Sequence, residues 1–241
     1  MNRQSLHLFL ISLCLALPGI AAAQLTGDEL MQRVRFSLPT VPLLISGELQ
    51  SRDRRGNIVQ VNPIEMRLAW GDTVPHAEYS VLDRFGAVQE RVRIEWPAYG
   101  QTQQRWWTGA PLEEQPLTDL SQLVEGLELS WSDLSLTFLW WEGARRVGSE
   151  RVRGRATEIV EIPAPADAEL AFDRVRLWID PEVNLLMRAD TLDRRGRMIR
   201  RIEVRSLRKI DEIWMIQNLD ILSRDSRERI TLRVRDVEEA G

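Results

Sequence analysis

The segment VRLWIDPEVNLLMRADTLDRRG, residues 175–196, decides the fold of this 241-residue chain. From residue 174 to residue 179, apolar side chains alternate with arginines and one tryptophan. A period of two places successive side chains on opposite faces of a β-strand. Antiparallel sheets with one solvated face have this pattern, whereas buried parallel strands are apolar throughout. The segment therefore predicts an antiparallel strand with one apolar face.

The same alternation recurs in other parts of the chain, over residues 64–70, 88–96 and 229–235. Turns of the form D-R-x-G lie between alternating runs, at residues 53–56, 83–86 and 193–196. Aspartate can bond its own backbone to open a turn, and glycine accepts the left-handed conformation that closes it. We expect a β-hairpin at each of these three turns.

Two segments depart from the strand pattern. Thr26 is followed by two acidic residues and then by apolar residues at helical spacing, which predicts a capped amphipathic helix over residues 26–36. Ser130 begins a second start signal, for a short helix that continues through Trp141. That second helix has almost no polar face, and a helix that is apolar all round is usually buried.

The predicted layout is one helix, at least four strands, an apolar helical insert and about five further strands. A single sheet with one apolar face must cover that face, and the helices are the available cover. We therefore expect a mainly β (α+β) fold. It would be an unclosed antiparallel β-barrel, or strongly curved sheet, wrapped around the N-terminal helix and a middle helical lid. Residues 24–241 contain no linker that would divide them, so we expect a single domain.

Residues 1–23 have the composition of an export signal. Arg3 gives a basic start, and residues 6–17 form an apolar run that is too short to span a bilayer. Small residues at 21–23 predict cleavage near Ala23 and a periplasmic mature protein. A buried N-terminal helix is the alternative. Cys14, the only cysteine, falls within the signal, so we expect no disulfide and no lipid anchor in the mature chain.

The composition argues against several classes of function. Loss of Arg3 lowers the formal charge by one from −4, which does not favour binding to nucleic acid. His76 is the sole histidine after residue 23, so a histidine-based triad and a transition-metal site both lack residues. The sequence contains no glycine-rich phosphate loop. We expect neither an enzyme nor a protein that binds a metal or cofactor.

Two stretches resemble the LolA/LolB-like family of periplasmic lipoprotein carriers. GLELSWSDLSLTFLWW, residues 126–141, is similar to the middle helical segment of the outer membrane lipoprotein-sorting proteins. Residues 175–196 are similar to a late-barrel signature of the same family: an L-W-I-D strand, a turn, and a strand that runs into D-x-x-G. The resemblance covers essentially the whole mature chain and implies the half-barrel fold with a helical lid.

The resemblance also implies a function. The protein would hold the acyl chains of a lipoprotein, or of a lipid, in a hydrophobic cavity and shield them during transfer to the outer membrane. Inner- and outer-membrane transfer proteins are further partners implied by the family. The alternative is a sensor of the same fold, which would bind a lipoprotein and a membrane-protein partner. No individual ligand-contacting residue of the family can be aligned to one position of this chain.

Candidate ligand contacts follow from the apolar insert and from the tryptophans. In the insert, we expect lipid contacts from Leu134, Phe138, Leu139 and Trp141. Further candidates are Trp107, Trp70 and Trp96, which lie at or near predicted strand ends. Each has a plainer explanation: the insert as permanent core, and the tryptophans as core caps or partly exposed rings. Trp178, on the arginine-rich strand face, predicts packing of a guanidinium group on its ring.

Overall fold

The computed structural model describes residues 25–98, 101–117, 119–166, 170–210, 213–226 and 228–240. The export signal predicted over residues 1–23, with Cys14 and the cleavage site near Ala23, lies outside the described residues.

The helices are α1 (Gly27–Phe36), α2 (Trp131–Ser135) and a short 3-10 helix (Thr137–Trp140). The strands are β1 (Leu43–Arg52), β2 (Ile58–Ala69), β3 (His76–Leu82), β4 (Val88–Glu95), β5 (Gln103–Thr108), β6 (Glu113–Gln115), β7 (Arg145–Val152), β8 (Arg155–Pro163), β9 (Arg174–Asp180), β10 (Leu185–Leu192), β11 (Met198–Ile210), β12 (Ile213–Ser223) and β13 (Arg229–Glu239).

The strands form one antiparallel sheet in the order β6-β5-β4-β3-β2-β1-β13-β12-β11-β10-β9-β8-β7. The sheet does not close, because β6 and β7 each have a partner on one side only. The predicted mainly β, unclosed antiparallel sheet around helices is confirmed. Six strands precede the insert, in agreement with the prediction of at least four, and seven follow it, where about five were predicted. The edge strand β7, for example, has few buried positions and so lacks the apolar alternation by which strands were recognised.

The three D-R-x-G turns are hairpin turns with a common geometry. In the first, a carboxylate oxygen of Asp53 accepts the backbone N–H groups of Arg55 and Asn57 at 2.8 and 2.9 Å. The equivalent aspartates at residues 83 and 193 make the same pair of bonds. The glycine that closes each turn has φ between +75° and +86°. The hairpins are therefore confirmed, with the roles expected for aspartate and glycine.

Helix α1 begins as predicted. The Thr26 hydroxyl accepts the backbone N–H of Glu29, and the Glu29 side chain accepts the backbone N–H of Thr26 at 2.7 Å, so the two residues form a capping box. The apolar face of α1 joins the main core through Leu30, Met31 and Val34. None of the described helices is long and apolar enough to cross a membrane.

The insert is not one continuous helix, so that part of the prediction was wrong. Helix α2 ends at Leu136, which adopts a left-handed conformation with φ of 51°. The chain then continues as the 3-10 helix Thr137–Trp140. The helical start at Ser130 is confirmed, since its hydroxyl accepts the backbone N–H of Asp133 at 3.2 Å. A single continuous helix would have pointed the side chains of the insert in all directions. The break at Leu136 allows them to point toward the core.

A glycine at the start of α1 allows the helix to approach β7. A Cβ atom on Gly27 would lie 2.5 Å from the backbone carbonyl of Ala144. We predict that Gly27→Ala lowers the free energy of unfolding by about 1–3 kcal/mol through overpacking, measured by urea denaturation. Gly148→Ala is the control, because its new Cβ would meet only the tip of Ile159, at 3.9 Å. Equal stability of the two variants would show that this contact is not constrained.

Candidate functional site

The candidate site is the insert itself, residues 130–141, which we call the plug. Its large side chains lie in the main core, where Trp131 is 0% exposed, Phe138 1%, Leu134 5% and Leu139 8%. The 3-10 helix of the plug also packs against α1. The plug and α1 together supply the helical cover that the apolar face of the sheet requires.

Aromatic rings surround the C-terminal half of the plug. Trp96, directly after β4, stacks on Trp140 with ring centroids 4.8 Å apart and an interplanar angle of 14°. The indole N–H of Trp96 also donates to the Thr137 hydroxyl at 3.3 Å. Trp141 stacks on Phe172, with centroids 6.1 Å apart. Two opposite regions of the sheet thus hold this end of the plug through stacked aromatic rings.

Two arginines fix the plug by polar contacts. Arg35 of α1 donates to the backbone carbonyl oxygen of Leu139 at 3.0 Å. At the other end, Arg200 of β11 forms an ion pair with Asp133, which also accepts the hydroxyl of Ser130. The side chains of Arg200 and Asp133 are 17% and 6% exposed. Because charge-assisted hydrogen bonds strengthen away from water, these two contacts define the seated position of the plug.

A buried carboxylate holds the loop that leads into the plug. Glu90 of β4 is 1% exposed and accepts the indole N–H of Trp106 and the backbone N–H of Glu125, both at 2.8 Å. Burial raises the pKa of Glu90, and the bonds from Glu125 and Trp106 oppose that rise. The Glu125 carboxylate raises the pKa further. Glu90 therefore ties the sheet to the base of the plug.

The structure brings most of the predicted ligand contacts together. Leu134, Phe138 and Leu139 lie within the main core, with Trp96 and Trp141 packed at the same cluster. Trp70 also packs on this core and is partly buried.

Trp107 is separated from the others. Its neighbour Trp106 pairs with the core residue Val92 and packs on the main core, so Trp107 faces the other side of β5. There it lies opposite Arg91, and the guanidinium of Arg105 is 5.5 Å from its ring.

The polar residues of the site were not predicted, although two of them have a signal in the sequence. Glu90 occupies a position that the alternation of β4 assigns to the apolar face, in line with Val92. Arg200 likewise shares the face of Ile202 on β11. A charged residue in an apolar register position is the pattern that would have found both. Arg35 gives no such signal, because its partner is a backbone atom far away in the sequence.

Trp178 does carry a guanidinium group, but from a different strand than expected. Arg188 of β10 lies over its ring at 4.0 Å, and the indole N–H donates to Glu150 at 2.8 Å. Arg176, on the same strand as Trp178, pairs instead with Glu161. Residues directly opposite on adjacent strands are closer than residues two apart on one strand, which favours the partner from β10.

Two surface depressions are lined mainly by polar residues, and neither is lined by a residue of the plug. A depression of about 490 Å³ is lined by residues that include Asp173, Asp193 and Arg194, and one of about 330 Å³ by residues that include Glu150 and Arg151. In the ranges that the structure describes, no group of three or more histidine, cysteine, aspartate or glutamate side chains could hold a metal ion. The plug remains the feature that most needs a functional explanation.

The chain was compared with protein families and with curated proteins. A family model described as "Uncharacterized protein" matches residues 115–239, just over half of the chain. The chain belongs to this family. The matched region contains the plug and β7–β13. The comparison with curated proteins found no match.

Solved structures show which fold the chain has. A DUF1329 family protein from Desulfovibrio piger covers 88% of this chain, with 91% of its own length, a TM-score of 0.75 and 14% identity. A domain provisionally described as an outer membrane lipoprotein-sorting protein, from Vibrio parahaemolyticus, has the same coverage and identity and a TM-score of 0.74. A LolA superfamily protein from Nitrosomonas europaea covers 90% of this chain and 95% of its own, with a TM-score of 0.68 and 12% identity. The LolA-like fold is confirmed.

The buried Glu90 gives a pH-dependent prediction. Because its pKa is raised in the folded state, its contribution to stability is present below the pKa of the unfolded chain and is lost as pH rises through the folded pKa. Relative to Glu90→Gln, the wild type should lose free energy of unfolding as the pH rises above 4.5, the ordinary pKa of this carboxyl group. Urea denaturation across this range measures the difference.

Glu95→Gln provides the control on the same strand. The pKa of Glu95 is lowered, chiefly by the hydrogen bond from Arg93. Its stabilising contribution is therefore kept above the unfolded pKa and lost only in acid, so its difference from the wild type should stay constant above about pH 5. An equally constant difference for Glu90 would contradict its burial.

Proposed function

We propose that this protein is a periplasmic carrier that shields acyl chains of a lipoprotein or lipid in the space that the plug occupies, for transfer to the outer membrane. The plug would be the lid of that space, and the structure would correspond to its closed state. Ligand would enter as the plug moves out of the concave side of the sheet. The likeness in fold to a LolA superfamily protein supports the proposal.

The observation that carries the proposal is the independence of the plug backbone from the sheet. The backbone-to-backbone hydrogen bonds of residues 120–141 join residues of that segment to one another. Ser132 N–H, for example, donates to the Leu120 carbonyl oxygen at 2.7 Å, and Trp131 N–H to the Gln122 carbonyl oxygen at 3.1 Å. The segment can therefore leave without breaking a strand ladder. Its opening would break side-chain contacts with the sheet and with α1, and the strand ladders would stay intact.

The energies of the closed and loaded states are of similar size. Burial of four large apolar plug side chains is worth on the order of 10 kcal/mol. An acyl chain of about 14 methylenes gains on the order of 11 kcal/mol on leaving water. A ligand could therefore displace the plug, and the plug could in turn displace the ligand. This balance suits a protein that must both take up and release its cargo.

The remaining parts of the proposal come from the sequence. We infer export through the signal in residues 1–23 and function without catalysis. We also infer inner- and outer-membrane transfer proteins as partners, together with the acylated ligand. His76, the sole histidine after residue 23, lies at the start of β3, where it contacts the Val74 carbonyl oxygen at 3.1 Å. The Asp72 carboxylate, whose side chain is 47% exposed, lies 3.7 Å from the same ring nitrogen.

One observation favours a second candidate, a scaffold domain with a permanently filled core. Trp131 and Phe138 are as deeply buried as any core residue of the sheet. A plug that never leaves would pack in the same way. The two candidates differ in one measurable property, the uptake of a fluorescent acyl probe.

We predict that the wild type binds a fluorescent fatty acyl probe and that Leu139→Glu abolishes this binding while the strand signal in circular dichroism persists. In the loaded state the displaced plug would still cover the acyl chains as a lid, so a carboxylate at this position, which is 8% exposed in the closed state, would place a charge against them. The control is Leu123→Glu, which makes the same change at a position that is 51% exposed. If Leu139→Glu still binds the probe, the plug is not part of the binding site. If the wild type binds no probe, the result supports the scaffold domain.

The contact between α1 and the plug gives a prediction of opposite sign. Arg35→Met keeps the apolar stem and removes the bond to the Leu139 carbonyl oxygen, so more of the protein should be open. The apparent Kd for the acyl probe should fall by about tenfold, given the usual strength of a hydrogen bond from a charged group. Arg33→Met, at an exposed position of the same helix, should bind as the wild type does. Weaker binding by Arg35→Met would contradict the proposal that Arg35 holds the plug in the closed state.

A further inference from the structure

Arg200 is a cation on the apolar side of the sheet. It shares a face of β11 with Ile202 and Val204, each 1% exposed. Its strand neighbours in register are Thr191 and Ser223, which carry no charge. Nothing in the adjacent strands therefore compensates the guanidinium on this face.

The carboxylate that compensates Arg200 belongs to the plug. Arg200 forms its ion pair with Asp133 and also approaches the Ser130 hydroxyl at 3.4 Å. Over the described residues, no second carboxylate forms an ion pair with it. The next arginine of the strand, Arg201, is different: it faces outward and pairs with Asp190 of the neighbouring strand β10. Movement of the plug would leave Arg201 paired and Arg200 unpaired.

An unpaired guanidinium beside apolar side chains is costly, so the open state needs an anion at this point. Water can supply some compensation, but an acyl ligand in the same space excludes water from it. A carboxylate or phosphate at the head of the ligand would take the place of the Asp133 carboxylate, with the acyl chain in the place of the apolar plug side chains. The ligand would then replace both the carboxylate and the apolar side chains that the plug supplies in the closed state.

We propose that Arg200 is the head-group site of the carrier and that the ligand is an amphiphile with an anionic oxygen head group. Asp133 acts as its intramolecular mimic in the closed state. The inference rests on the proposed carrier function and narrows its ligand from a lipoprotein or lipid to an acidic lipid, because ester- and amide-linked acyl chains carry no anionic oxygen. A fatty acid and an acidic phospholipid share this chemistry, whereas a fatty ester lacks it.

The test measures displacement of N-phenyl-1-naphthylamine, an uncharged fluorescent probe, from the full mature chain. The competitors are laurate, lauryl phosphate and methyl laurate, which share one acyl chain, and acetate and inorganic phosphate, which supply the head groups alone. We expect laurate and lauryl phosphate to bind about tenfold more tightly than methyl laurate. Acetate and inorganic phosphate should not displace the probe, because they lack the acyl chain.

Three variants test whether the preference for anionic competitors comes from Arg200 or from another charged residue. Asp133→Asn removes the internal competitor and should widen the preference for the charged competitors. The double variant Asp133→Asn, Arg200→Gln leaves no buried charge unpaired and should abolish the preference while methyl laurate still binds. Arg201→Gln, on the outer face of the same strand, is the matched control and should keep the preference.

Each outcome is decisive. If neither the probe nor any competitor binds, the carrier function and the head-group site both fail. If the amphiphiles bind without a charge preference in the wild type, the carrier function stands and the head-group site is wrong. A preference that persists in the double variant would place the anion at another residue. Displacement by acetate or inorganic phosphate would indicate a site for free anions and would also overturn the inference.

Discussion

The apolar concave face of an unclosed sheet is the constraint on which the rest of this structure depends. A closed barrel would bury that face against itself, but here β6, of only three residues, and β7 remain as edges. The face must therefore be covered by something other than a strand. Helix α1 covers part of it, and the plug covers the remainder with its aromatic and leucine side chains. The tryptophan-rich composition of the insert follows from this task.

Charged groups that face inward give the cover a defined position. An apolar segment in an apolar trough has many arrangements of similar energy, because hydrophobic contacts are not directional. The bonds that Glu90 accepts at the base of the plug and the ion pair between Arg200 and Asp133 select one of them. Such buried polar contacts add less to stability than to specificity, since each group has lost its hydration. In the carrier that we propose, separation of Arg200 from Asp133 would link the position of the plug to the chemistry of the ligand.

The outer face of the sheet uses charge in another way. Arginines and carboxylates pair there within and between strands, as in Asp190, which is bound by Arg188 of its own strand and by Arg201 of β11. Burial alone would raise the pKa of Asp190, but hydrogen bonds from the two guanidinium groups lower it. Because a slip of one residue would exchange the two faces of a strand, these pairs and the apolar inner face specify the same register. The outer pairs stay within the sheet and are unaffected by the plug.

The sequence by itself determined the features that depend on local patterns. The period of two identified strands and their apolar faces, the three D-R-x-G turns identified hairpins, and the Thr26–Glu29 pair identified the start of α1. Each of these depends on residues within a few positions of one another. The same local character explains the errors, since the exposed edge strand β7 lacks a pattern, and a single left-handed residue, Leu136, breaks the predicted helix.

Only the tertiary structure decided which side chains meet. Arg35 and the Leu139 carbonyl oxygen are 104 positions apart, and Arg200 and Asp133 are 67 apart. Periodicity along the sequence does not predict such a contact, because the curvature of the whole sheet determines which of its residues meet the plug. Likewise, the sequence marks Trp106 and Trp107 as facing opposite sides, but the register of β5 against β4 decides that Trp106 turns inward. Local residues set the elements, and the curvature of the sheet sets the site.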